Sequence, residues 1–333
     1  MGMRLFLRKE RKKIFRLNRR VQEFLAEGFV GGRCECFVKG KHENVNIYDI
    51  NSAYPYAMTF AFPAGGCYVT TEFTEKKIGF WRVKFRGDCD YFFDVKTRMY
   101  TNEGEGILTT EEIVFAKENN FQIEVLQGVV FTDMKYYFRD FIFRMYQLRQ
   151  EVQDTRIKKL IKLCINSLSM KFAQKEVIYH VKKANLQNLA NCVQIADNLV
   201  LVKGYKRNMY SNIAISALVT ARTRLQLYRA MQRVNTIYCD TDSIHTQHDV
   251  VGEIKIGNEL GEWKVVGTGL TITYRGKKVY YIHDHDELKA AGVKVIEKKR
   301  IDRLQVFRCE RLGSLEEMLS QRRVIKHEYN FIV

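Results

Sequence analysis

The sequence predicts an α+β fold, and three observations predict it. Short runs that alternate apolar and polar residues, Arg33-Cys-Glu-Cys-Phe-Val38 and Asn46-Ile-Tyr-Asp-Ile50 among them, read as strands. Long stretches with apolar residues at helical spacing, 134 to 175 and 211 to 232, read as helices. Tyr238-Cys-Asp-Thr-Asp-Ser243 reads as a strand, a tight acidic turn and a second strand. The 333 residues are long enough for one large domain or two, and 46% hydrophobic residues suit a buried core.

Charge narrows the function classes. Fifty-five Lys and Arg against 38 Asp and Glu give a net charge of +17, with a pI near 9.4. A polyanionic partner follows, nucleic acid first and an anionic membrane surface second. No apolar run approaches the roughly 18 to 20 residues of a membrane span, so no membrane partner is expected. The basic N-terminus is interrupted by charge, which argues against a secretory signal. Eight cysteines without a CxxC pair read as reduced thiols in a cytosol-like compartment.

Along the chain, the first 20 residues hold nine Lys or Arg against Glu10, a difference of nine minus one, +8. Ile14, Leu17, Val21, Phe24 and Leu25 recur at helical spacing with Gly28 as a stop, so a basic helix is expected, either gripping a nucleic acid backbone or presenting a solvated face. Gly31-Gly32 breaks the pattern before the first strand. Asp49 ends the second strand, and Pro55 starts a helix soon after. Residues 66 to 95 carry short strands such as Gly79-Phe-Trp-Arg-Val-Lys-Phe85. A turn is expected at Asn102-Glu-Gly-Glu-Gly106 and a helix from Thr110. In the helical stretch to 175, Lys158, Lys162 and Asn166 are four apart and share one face. Residues 176 to 210 read as a hairpin insertion, 265 to 282 as basic strands, and the charged last 45 or so residues as helical around Leu315 to Ser320.

The acidic turn is the chemical focus. Asp240 and Asp242 are two apart, and alternation points them the same way. Two carboxylates that close stay ionised together only beside compensating cations, for which hard divalent metals suit carboxylate oxygen. The same four residues also make a good solvated turn. Asp49 at a strand end and the Lys158–Lys162 row would complete a two-metal phosphoryl-transfer site. His283-Asp-His-Asp-Glu287 looks like a second metal cluster, but adjacent strand residues face opposite sides, so it reads as a solvated turn.

These residues resemble the family B DNA polymerases, most closely the protein-primed branch. Tyr48-Asp-Ile-Asn-Ser-Ala-Tyr-Pro55 is similar to that family's motif A, Lys162-Leu-Cys-Ile-Asn-Ser-Leu-Ser-Met-Lys-Phe172 to motif B, and Tyr238-Cys-Asp-Thr-Asp-Ser243 to motif C. Lys278-Val-Tyr280 resembles the Lys-x-Tyr motif, and Phe29-Val-Gly-Gly32 the Tyr-x-Gly-Gly stretch. The resemblance implies a palm, fingers and thumb polymerase with an antiparallel palm sheet backed by helices. It divides the chain into a basic helix and Gly-Gly linker (1–40), palm (41–95), an insertion resembling the terminal-protein region (96–132), fingers (133–175), a second hairpin insertion (176–210), palm (211–285) and thumb (286–333).

The roles it implies are these. Asp49, Asp240 and Asp242 are catalytic, with Asp49, Asp242 and the Ile50 carbonyl holding two Mg2+ ions, for which Mn2+ is a substitute. Ser52, Tyr54, Lys158, Lys162 and Asn166 bind the nucleotide, Tyr54 as a steric gate against ribose. Gly31, Gly32, Ser167, Ser243, Lys278 and Tyr280 contact DNA. The implied partners are a DNA template-primer and dNTPs, with a terminal protein or a separate exonuclease subunit left open, and the implied setting is the cytoplasm or host-cell interior of a virus or mobile element. Three departures stand out, one being Phe29 in place of the Tyr that opens the Tyr-x-Gly-Gly stretch, which loses a hydroxyl. Ser169 and Met170 replace the family's Tyr-Gly, which bears on fidelity and leaves a catalytically impaired, DNA-binding remnant as the alternative. About 28 residues precede Phe29, too few for an exonuclease domain, so no proofreading is expected from this chain.

Overall fold

The computed structural model describes residue 6 and residues 14–183, 192–196, 199–207, 211–250, 252–301, 304–313, 317 and 325–332. The chain divides into two compact units. The first comprises 1–35, 46–174 and 209–268, and the second 36–45, 175–208 and 269–333.

In the first unit, helix α1 spans Arg19–Glu27 and ends at Gly28. It begins at Asn18, whose side chain accepts the Val21 N–H at 2.9 Å, satisfying one of the donors a helix start leaves orphaned. The cap fixes the start there, so Ile14 and Leu17 lie in a non-helical segment before the helix, correcting the longer helix expected. Leu17 is nonetheless buried with Val21 and Leu25. The Lys and Arg of residues 1–13 lie outside the described residues.

Strands β1, Cys34–Cys36, and β2, Gly40–Ile50, follow. The chain then turns through Ser52, in the left-handed region at φ 52°, into helix α2, Ala53–Ala57. Pro55 is the third residue of this helix rather than its first. Strands β3 (Cys67–Thr70), β4 (Gly79–Arg86), β5 (Glu103–Thr109) and β6 (Gln122–Phe131) form a four-stranded antiparallel sheet in the order β3-β6-β4-β5. The turn expected at 102–106 is strand instead, paired from Arg86↔Glu103 to Phe80↔Thr109. Its glycines serve close packing: a Cβ at Gly104 would meet Asp94 at 2.9 Å, and one at Gly106 the Phe93 carbonyl at 3.0 Å. Helix α3, Thr110–Glu118, starts as expected, with Thr109 and Glu112 in a reciprocal capping box.

The two helical segments read between 134 and 175 are α4, Arg139–Glu151, and α5, Thr155–Met170, the latter capped by Asp154. Helix α6 spans Ile213–Met231. The acidic hairpin is β7, Thr236–Asp240, and β8, Ser243–Thr246, and β9 spans Trp263–Gly276. The strand order is β1-β7-β8-β2-β9. Tyr48, Ile50, Cys239, Ile244 and Trp263 on one face of these strands pack against Leu227 and Ala230 of α6. Each such burial is worth about 1.5–3 kcal/mol for a large apolar side chain. This is the helix-backed antiparallel sheet the sequence implied.

In the second unit, Lys175–Lys183, Leu199–Arg207 and Cys192–Ala196 form one three-stranded antiparallel sheet, and Lys294–Ile301, Leu304–Leu312 and Lys326–Ile332 another. The later half of β9 pairs with Val279–Ile282, which pairs with Glu287–Ala290. The helix expected around 315–320 falls outside the described residues apart from Glu317.

Candidate functional site

The hairpin tip is held by its backbone and by burial. Tyr238 and Cys239 enter it buried, and Ile244 leaves it buried. Thr241 turns the chain at φ 61°, and the Asp242 N–H reaches the Asp240 carbonyl at 2.6 Å. Strand β8 pairs with β2 in the register Ser243↔Asp49, and the Ile50 N–H donates to the Asp242 carbonyl at 2.7 Å. Two acids nearly 200 positions apart in sequence thus meet at the ends of neighbouring strands.

Their electrostatics follow. Burial first, then the charges of Asp49 and Asp240, push the Asp242 carboxyl up to about 7, with Lys264 opposing. Lys264, on β9, places its Nζ 2.6 Å from Asp49 Oδ1. Asp240 is served locally: the Thr241 hydroxyl donates to it at 3.1 Å and the Tyr238 phenol at 3.5 Å.

Asp49 and Asp242 open on a cavity of about 300 Å3. Its wall also carries Ile50, Ser52, Lys158, Lys162 and Asn166, so seven sequence-predicted residues come together. Lys158, Lys162 and Asn166 arrive from α5 at four-residue spacing, and Asn166 Oδ1 is buried without a hydrogen-bond partner. Asn51, together with Tyr146, Arg149 and Gln150 of α4 and Lys264 of β9, completes the lining, and none of these five was predicted as a site residue. Arg149 also approaches Ser52 Oγ at 3.4 Å. For Lys264 a signal existed: Trp263 points to the core, so its neighbour faces the other way, as Asp49 does between buried Tyr48 and Ile50.

Tyr54, Gly31, Gly32, Ser243 and Asp240 do not line that cavity but gather around the hairpin tip. A Cβ on Gly32 would meet the Thr241 side chain at 2.6 Å, whereas one on Gly31 meets nothing within 4 Å. The Thr241 N–H donates to the Arg33 carbonyl at 2.6 Å. Burial, then the Asp242 charge, raises the Tyr54 phenol's pKa, while the Gly32 backbone bonds it and lowers it. Behind the loop, Arg224 donates to the Val30 and Gly31 carbonyls at 2.9 and 2.8 Å and pairs with buried Glu112 at 2.7 Å. Buried Arg33 bonds the Asp90 carboxylate at 2.9 Å. Sequence reading missed this scaffold because its members come from four distant segments.

Of the two motif B departures, Ser169 sits in the helix packing, and Met170, the last residue of α5, is exposed. Ser169 is buried; its hydroxyl donates to the Asn166 carbonyl at 3.0 Å, and its carbonyl accepts from Ser216 Oγ at 2.6 Å. Ser167 donates to Cys164 at 3.2 Å. Lys278 and Tyr280 belong to the second unit: Lys278 turns at φ 58° and Tyr280 packs on Tyr274 at 5.7 Å.

Among the described residues no three His, Cys, Asp or Glu side chains stand at metal-binding spacing. Asp49 is paired with Lys264 instead. The donor set nonetheless suits a hard divalent ion: Asp49 and Asp242 offer carboxylate oxygens, and the raised Asp242 carboxyl marks negative charge in need of a cation.

Residues 2–249 match the family described as DNA polymerase type B, organellar and viral. A DNA-directed DNA polymerase of Enterobacteria phage PRD1 is 28% identical over 78% of this chain and 50% of its own length. A probable DNA polymerase of Agaricus bitorquis is 24% identical over 85% of this chain and 44% of its own. The DNA polymerase of Bacillus phage phi29 is 26% identical over 70% of this chain and 44% of its own. The chain therefore spans about half the length of these relatives. In structure it is similar to phi29 DNA polymerase complexed with primer-template DNA, at a TM-score of 0.71 and 20% identity, covering 99% of this chain and 65% of that one. That likeness establishes the palm, fingers and thumb type of fold.

Proposed function

The chain belongs to the organellar and viral type B DNA polymerases, and from that premise we propose that it extends a primer 3'-hydroxyl with deoxynucleotides on a DNA template, releasing pyrophosphate. One observation carries the reading: Asp49 and Asp242 meet across neighbouring strands at the wall of a cavity that Lys158, Lys162 and Asn166 also line.

Each residue has a task there. Lys158 and Lys162 neutralise and orient the triphosphate, and Arg149 adds a third cation with fork geometry suited to phosphate. The free Oδ1 of Asn166 offers a hydrogen-bond acceptor on the nucleotide side. Tyr54, bonded by the Gly32 backbone and half-buried, fills the space a ribose 2'-hydroxyl needs. Asp49, Asp242 and the Ile50 carbonyl are the ligands for two divalent ions, Mg2+ by choice of hard oxygen donors, with Mn2+ as a substitute. Bound there, such ions supply charge stabilisation to the attacking and leaving oxygens of an in-line displacement. Asp240 is the third catalytic carboxylate, and Gly31, Gly32, Ser167, Ser243, Lys278 and Tyr280 are assigned to the primer-template, whose binding weakens steeply with salt.

A terminal protein as primer and an exonuclease subunit in trans are partners consistent with the family, and the reduced-thiol composition suits the interior of a host cell. The rival reading, a remnant that binds DNA without extending it, draws on Ser169 and Met170. Ser169 is buried in helix contacts away from the cavity lining, which favours the active reading. Primer extension on a DNA template with Mg2+ separates the two: extension with dNTPs and poor use of rNTPs supports the proposal, and DNA binding without any extension, in Mg2+ or Mn2+, supports the remnant.

A further inference from the structure

Lys264 is the residue at this site that no motif anticipates. Its ammonium is 2.6 Å from Asp49 Oδ1 and 40% exposed, against 28% for Asp49. It shares the cavity wall with Lys158, Lys162 and Arg149. Asp49 and Asp242 face one space, and two neighbouring carboxylates without a counter-charge repel each other. A lysine on a flexible four-carbon stem, rooted in a strand and open to solvent, can neutralise one of them and still swing away at low cost.

We infer that Lys264 is a resident counter-ion that occupies Asp49 before metal binds and is displaced by the metal toward the triphosphate. The inference rests on the proposed function and adds an exchange to it. The ammonium and the metal compete for the same carboxylate oxygen, so Lys264 holds Asp49 in place in the metal-free protein and weakens metal binding when no nucleotide is present. Once released, its charge joins the cations on the same wall, where a nucleotide's phosphates need it. Lys264 thus acts as a positioning residue through Asp49.

The test is Mn2+ binding to the metal-free, nucleotide-free full chain, read by electron paramagnetic resonance of the free ion, for wild type, Lys264→Met, Lys264→Arg, Lys158→Met and Asp242→Asn. Removing a partly exposed ion pair predicts about threefold to fivefold tighter Mn2+ binding in Lys264→Met. Lys264→Arg should keep the wild-type affinity, and Lys158→Met, which removes a charge from the same wall, should shift it less. Thermal melts give a second readout: Lys264→Met should melt lower than wild type without metal and gain more on adding Mg2+. Unchanged or weaker Mn2+ binding in Lys264→Met, or an equal shift in Lys158→Met, overturns the inference. Asp242→Asn tests the underlying reading separately: if it binds Mn2+ as wild type does, the metal assignment itself fails.

Discussion

Two acidic turns in this protein look alike on paper and differ in what surrounds them. At Asp240-Thr-Asp-Ser243 the carboxylates end buried strands and meet Asp49 from a neighbouring strand, and Asp242 is pushed up to about 7. At His283-Asp-His-Asp-Glu287 the acids are spent locally. Asp284 accepts the Thr271 N–H at 2.6 Å, which holds its pKa below the ordinary carboxylate value. Asp286 accepts the Tyr281 phenol and pairs with Lys298, and His283 bonds the Thr273 hydroxyl at 2.8 Å. An acidic turn whose charges its own neighbours satisfy is structural. One whose charges accumulate at a cavity is suited to bind a cation.

The contrast can be broken most sharply by matched substitutions. Asp49→Asn should lower nucleotide incorporation by roughly 10^3-fold or more, because it removes a proposed metal ligand and the transition-state charge stabilisation that would come with it. Asp284→Asn should leave incorporation within about twofold. Single-turnover primer extension measures both, and comparable losses would erase the distinction between the turns.

A smaller effect tests how the first turn is supported. Gly32→Ala places a Cβ within 2.6 Å of Thr241, so the tip must shift. A displacement of this kind should reduce incorporation by about tenfold, since misplacing a reacting group by an ångström is costly. Gly31→Ala, whose Cβ meets no protein atom within 4 Å, should leave the tip in place and lower incorporation less, through the DNA contact assigned to it alone. Equal responses would mean that the loop does not position the tip.

The first turn also sets a pH signature. His245, buried and tilted against Tyr238 at 4.9 Å, is pushed down to about 3 by burial, although Asp240 opposes this. Its folded pKa lies below the ordinary 6.5, so its contribution is fully present above about pH 6.5 and is lost as pH falls toward 3. Asp242 has the opposite sign: its raised pKa favours the fold below about 3.8, an advantage lost as pH rises through 7. His245→Asn should therefore flatten the fall in melting temperature between pH 6.5 and 4. The smallest effect belongs to the second turn, where Asp286→Asn should cost less than about 1 kcal/mol in urea unfolding, as befits a half-exposed ion pair.

Much of this was legible in the sequence, for physical reasons that differ by element. The Lys158-Lys162-Asn166 row follows from helical periodicity alone, and α5 delivers it to the cavity. The strand-turn-strand at 238–243 follows from apolar residues flanking small polar ones. What local pattern could not show was contact at a distance. Lys264 pairs with Asp49 across 215 positions (264 minus 49), and Arg224 reaches Gly31 across 193. The start of α1 was missed because periodicity extended past Asn18, whose cap overrode it. The strand at 103–109 was missed because its glycines, which signal turns in isolation, are there to admit Asp94 and Phe93.

The most direct test of the central claim is Asp242→Asn, with incorporation and DNA affinity measured on the same preparation. Incorporation should be abolished while primer-template binding stays close to wild type, since the substitution removes a proposed metal ligand and leaves the basic surface intact. Primer extension at the normal rate by Asp242→Asn would contradict the assignment of this hairpin as the catalytic centre.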